Sequence, residues 1–152
     1  MTPPVGDAFP QDYREKFCDE KIKPGAVFRM RSEDTDPPKI KRFIILAIND
    51  ELSSVALFYI NSEINPNIFQ TETMQKLHLP LLTSRFTFLD RDSYLDCSQL
   101  YEWTVGSIKS NFVENLNSHL GQIMDTDLEE IRITARSAPT IEQKLKRRYN
   151  LL

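Results

Sequence analysis

The residues best suited to chemistry stand far apart along this 152-residue chain. A metal cage needs His, Cys or carboxylate ligands a few residues apart, and His78, His119, Cys18 and Cys97 each lack such a neighbour. No metal and no cofactor is expected from this pattern. Asp92-Ser93 pairs a carboxylate with a hydroxyl, the minimum for an activated nucleophile. The same dipeptide ahead of a strand is ordinarily a turn. Arg42 opens an apolar run, where a guanidinium either pairs with a carboxylate at the strand end or takes part in catalysis. Phe58 and Tyr59 would stack on bases if exposed and fill the core if not. Trp103, next to Glu102, reads as a lid over the end of a sheet or as a subunit contact.

Charge narrows the field. A net charge of −3 argues against an open, strongly basic nucleic-acid surface. The balance is uneven, because residues 141–152 hold Lys144, Lys146, Arg147 and Arg148 against Glu142 alone. Such a tail is a solvated end or a handle for RNA or an acidic partner. Hydrophobic residues make up 40% and charged residues 27%, which suits one globular domain rather than a disordered chain. The longest apolar run, residues 43–48, is far short of the roughly 20 residues of a membrane helix. The start Met-Thr-Pro-Pro has no basic stretch leading into an apolar one, so no signal peptide is read. The expectation is a soluble cytoplasmic protein with two free thiols.

These residues need elements to place them. Residues 1–8 read as a mobile start. Phe9, Tyr13 and Phe17 then recur every fourth residue, the stripe of a short helix opening at Pro10. Lys23-Pro24-Gly25 breaks it, and residues 26–31 alternate as a strand. Residues 32–38, with Glu33, Asp34, Asp36 and two prolines, form an acidic loop. Residues 41–48 and 54–60 are dense in branched and aromatic side chains and pair as a hairpin about Asn49-Asp50-Glu51. They are too apolar for either face to be fully wet. Residues 61–73, centred on Asn65-Pro66-Asn67, make a long polar loop of the kind that carries function. Residues 85–89 and 93–97 read as two more strands. Ile108, Phe112 and Leu116 mark a helix over 105–116. Gly121 ends that pattern, and Thr126-Asp127-Leu128-Glu129 caps a second helix over 127–138. The fold class is therefore mainly β with C-terminal helices (α+β), a strongly curved antiparallel sheet of five or six strands.

Five segments, in this order, resemble the PemK/MazF-like family of toxin endoribonucleases. They are Lys23-Pro24-Gly25 before the first strand; Arg42-Phe43-Ile44-Ile45-Leu46-Ala47-Ile48 running into Asn49-Asp50; Arg91-Asp92-Ser93-Tyr94-Leu95-Asp96-Cys97-Ser98-Gln99-Leu100; His119-Leu120-Gly121-Gln122-Ile123; and Asp127-Leu128-Glu129-Glu130-Ile131. The resemblance spans residues 23–138 and implies a small SH3-like barrel. Residues 1–22 become an N-terminal extension and 139–152 a basic C-terminal tail.

The same resemblance implies metal-independent, sequence-selective cleavage of single-stranded RNA by a homodimer held in check by an antitoxin. An arginine and a threonine on adjacent strands hold the scissile phosphate in such enzymes. A guanidinium suits that task, since it stabilises the charge that develops as a 2′-hydroxyl attacks. The arginine carries over onto Arg42. The threonine position falls on Asn61, with the hydroxyl of Ser62 next to it, and Phe43 replaces the usual proline. The expected catalytic set is Arg42, Asn61 and Ser62, and the expected RNA contacts are Lys41, Phe58, Lys144, Arg147 and Arg148. The alternative is a catalytically degenerate barrel that binds RNA or a protein.

Overall fold

A computed structural model describes residues 11–64 and 71–152. The expected mobile start, the helix-opening Phe9 and Pro10, and Asn65-Pro66-Asn67 lie outside the described residues. The chain runs α1 (Gln11–Lys21), β1 (Ala26–Ser32), β2 (Lys39–Asn49), β3 (Ser54–Asn61), α2 (Glu72–Lys76), β4 (His78–Leu81), β5 (Ser93–Asp96), β6 (Tyr101–Thr104), α3 (Val105–Glu114), β7 (His119–Gln122), α4 (Asp125–Ser137) and α5 (Gln143–Arg148). The described strands form one antiparallel sheet in the order β4-β5-β3-β2-β1-β7, with β6 on the remaining length of β3. The sheet curls into a half-barrel.

Two irregularities help it curl. The β2–β3 register slips between Ile45 and Ala47, and the β1–β7 register slips between Val27 and Phe28. A bulge of this kind bends its strand and increases the local twist. At the β2 bulge Leu46 and the next residue, Ala47, both enter the same core. Gly25 sits just before β1 at φ 89°, a conformation that disfavours a side chain, and a Cβ there would fall 2.4 Å from Gln122 Nε2.

β2 and β3 are apolar on both faces because helices cover both. Phe28, Phe43, Ile45, Leu57 and Tyr59 face Cys18 and Ile22 near α1 and Ile108 and Phe112 of α3. Ile44, Leu46 and Phe58 face Leu128, Ile131 and Ala135 of α4. The two helices expected from the sequence thus lie on opposite sides of the sheet.

Three expectations change. Residues 85–89 form turns rather than a strand, with Phe86 and Leu89 buried but outside the hydrogen-bonded ladder. The stripe on α1 is displaced: Tyr13 and Phe17 are exposed, while Cys18 and Ile22 carry the helix onto the core. The basic tail is not a free end. Ile141, Tyr149 and Leu151 belong to the core, and α5 lies between them. Among the described residues, no helix is long and apolar enough to cross a membrane.

Candidate functional site

The β2–β3 hairpin brings the expected residues together at one end of the sheet. Arg42 stands opposite Ile60, and the next register step sets Lys41 beside Asn61. Side chains alternate along a strand, so Lys41 and Asn61 share the Phe43 and Tyr59 face while Arg42 shares the Ile44 face. Lys41 accordingly donates to Asn61 Oδ1, and its ammonium lies 5.4 Å from the centre of the Tyr59 ring. Burial and the neighbouring Lys39 push the Lys41 ammonium below its usual pKa. Arg42 Nη2 instead donates to Asp90 Oδ2 at 2.6 Å, and its buried Nε has no hydrogen-bond partner among the described residues.

A cleft of about 790 Å³ opens here. Lys41, Arg42, Asn61 and Ser62 line it, together with Arg29, Lys39, Glu63, Asp90, Arg91 and Ser93. Five cationic side chains therefore meet two carboxylates, a local excess of positive charge on a chain of net charge −3. Arg29 is the Cα partner of Arg42 across β1 and β2, so the two guanidinium groups leave the same face. Like charges placed directly opposite destabilise a sheet unless an anion sits between them. Among the described residues Asp90 is the one carboxylate ion-paired to Arg42, and Arg29 has no ion pair.

Sequence reasoning missed Arg29, Asp90 and Arg91. Arg29 was visible as an outward residue of an alternating strand, but its register with Arg42 depends on the length of the 33–38 loop. Asp90 and Arg91 arrive from a connection between strands, for which no periodicity exists.

The remaining candidates lie elsewhere. Phe58 is 0% exposed and packs in the α4-side core, so it presents no face to a base. Arg148 is clamped by both Glu102 oxygens at 2.7 and 2.8 Å. The backbone carbonyl of Arg148 accepts from Asn49 Nδ2, which places α5 at the far end of β2. Seven residue steps along the strand separate Asn49 from Arg42, about 23 Å at about 3.3 Å per residue. Lys144 pairs with Glu142 and, like Arg147, is exposed, but both belong to this distant end. The tail therefore does not extend the cleft.

Asp92 closes the connection ahead of β5, and Ser93 is that strand's first residue, paired with Leu81. Asp92 accepts from the Thr83 amide and hydroxyl, which holds its carboxyl below the usual range, and Ser93 Oγ donates to the Arg91 carbonyl. Trp103 Nε1 and Tyr59 OH both donate to Asp34 Oδ2, fastening the acidic loop over the Tyr59 face. Burial, and then the bond to Asp34, push the Tyr59 hydroxyl well above its ordinary pKa. No protein-family model matches this chain, and a search of curated proteins gives no match either.

Proposed function

We propose that this chain binds single-stranded RNA through its phosphodiester backbone, in the cleft beside Arg42. The observation that supports the reading is the cross-strand pair Arg29–Arg42, which faces one exposed carboxylate and keeps a buried guanidinium N–H unmet. Phosphate oxygens supply the acceptor and the charge that such a pair lacks. The resemblance to RNA-cleaving barrels narrows the polyanion to RNA.

Cleavage is the second reading, favoured by the hydroxyls of Ser62 and Ser93 sharing the cleft with Arg42. A guanidinium on the scissile phosphate would stabilise charge as the ribose 2′-hydroxyl attacks, without a metal. A toxin-type nuclease would also bring a second copy of the chain and an antitoxin. Light scattering that gives only a 17.7 kDa species at micromolar concentration counts against the dimer.

The deciding experiment is fluorescence anisotropy with a labelled single-stranded RNA across a salt series. Affinity should fall with a log–log slope of about −0.7 per phosphate neutralised. Arg29→Ala and Arg91→Ala should each flatten the slope by about 0.7, whereas Lys144→Ala should leave it alone. Absence of binding at low salt sinks the reading. Shortening of the RNA in EDTA, lost in Arg42→Ala, establishes the nuclease.

A further inference from the structure

The contact between Arg42 and Asp90 is incomplete. Only Nη2 of the guanidinium reaches the carboxylate, at 2.6 Å, and Nε beside it is buried and unpartnered. A guanidinium binds an oxyanion best through two parallel N–H groups. Asp90 uses one. Its side chain is 75% exposed, and it lies in the connection ahead of β5, outside the ladder. Two residues on, Asp92 is held by two hydrogen bonds from Thr83. The backbone is thus anchored next to a carboxylate that has no second side-chain partner among the described residues.

We infer that Asp90 is an exchangeable counter-ion, standing where a phosphate group docks and leaving when one arrives. A phosphate presents two anionic oxygens side by side, so it can take Nε and Nη2 together and satisfy the donor that Asp90 leaves unmet. Arg29, across the β1–β2 register, adds a second charge that Asp90 does not engage. The site would then select oxyanions with paired oxygens over simple anions such as chloride, and Asp90 would set how tightly they bind. This rests on the reading of the cleft as a phosphate site, and adds to it the residue that any ligand has to displace.

The test is a double-mutant cycle read with two probes, inorganic pyrophosphate by calorimetry and a labelled single-stranded RNA by anisotropy. Asp90→Asn should tighten pyrophosphate binding about fivefold, the weight of an exposed ion pair removed from competition. Arg42→Gln keeps the stem of the side chain and removes the fork, and in that background Asp90→Asn should gain nothing. Circular dichroism of each variant checks the fold. A gain of equal size with and without Arg42 would mean general charge repulsion and overturns the inference. So does the absence of any gain, or the absence of pyrophosphate binding in every variant. If pyrophosphate follows the cycle while RNA binds no variant, the counter-ion stands and the RNA reading falls.

Discussion

Arg42 and Asn61 stand one register step apart on neighbouring strands, and their side chains leave the sheet on opposite faces. Asn61 Oδ1 accepts from Lys41 on the Tyr59 side, while Arg42 reaches Asp90 on the other. One phosphate seated on Arg42 is therefore out of line with the Asn61 amide. Arg42→Ala should weaken RNA binding by one to two orders of magnitude, the loss of about 1.5–3 kcal/mol for a hydrogen bond to a charged group. Arg42→Lys should recover only part of it, because a point charge lacks the fork. Asn61→Ala and Asn61→Thr should stay within about twofold, as surface changes usually do. Equal losses in Arg42→Ala and Asn61→Ala would show that the ligand wraps over the strand end and uses both faces.

The C-terminal segment is a structural part of the domain. Lys146, 3% exposed, donates at 2.8 Å to the carbonyls of Arg136 and Ala138, which the end of α4 leaves without helical partners. Lys146→Met removes the ammonium and strips both carbonyls of that charged donor, at about 1–3 kcal/mol. Leu151→Ala opens a cavity in the α4-side core and should cost about 2–5 kcal/mol. Urea unfolding measures both. Midpoints that do not move would return the segment to the role of a solvated tail.

The hairpin was legible because residues 41–48 and 54–60 are apolar on both faces, and few other elements produce that pattern. The short strands were not. β4 contains Pro80, β7 contains Gly121, and β6 leads straight into α3, so each lacks the run of alternating residues that announces a strand. Phe86 and Phe88 imitate a strand by spacing, yet they pack from turns. The same limit divides the site. Lys41, Arg42, Asn61 and Ser62 follow from one hairpin, whereas Arg29 and Asp90 reach it only through tertiary pairing. Phe58 failed as a base platform for a reason already present in its period of two, which sets it on the same face as Ile60 and Ala56 toward α4.

His119 should make the fold acid-sensitive. Its ring packs against Phe28 and Phe112, and Nε2 is buried without a partner among the described residues. Burial first, then Lys21 and Lys23, lower its pKa from 6.5. Above 6.5 the ring is neutral in both folded and unfolded chains. Below it the unfolded chain takes the proton first, so stability falls with pH until the folded value is reached. Melting temperature should drop as pH falls through 6.5, and less so in His119→Phe. Parallel curves for the two proteins would assign the acid sensitivity to other groups.

The two thiols should be silent in the native protein. Cys18 is the buried residue of α1, in the core shared with α3, and Cys97 lies in the core on the α4 side, so the sheet stands between them. Burial raises both pKa values, and the thiolate is the reactive form. A thiol reagent should label neither until denaturant is added, and the unreduced mass should show no loss of two hydrogens. Rapid native labelling of either cysteine would show that its face of the sheet opens.

The chain has a single tryptophan, and its indole N–H is hydrogen-bonded at 2.8 Å to Asp34 of the β1–β2 loop. That loop joins the strands carrying Arg29 and Arg42. The ring itself rests on Phe43, 4.8 Å between centroids, one residue along β2 from Arg42. The protein thus contains its own optical probe: a ligand that shifts the loop alters the polarity around one fluorophore, so its binding registers in intrinsic emission with no label attached.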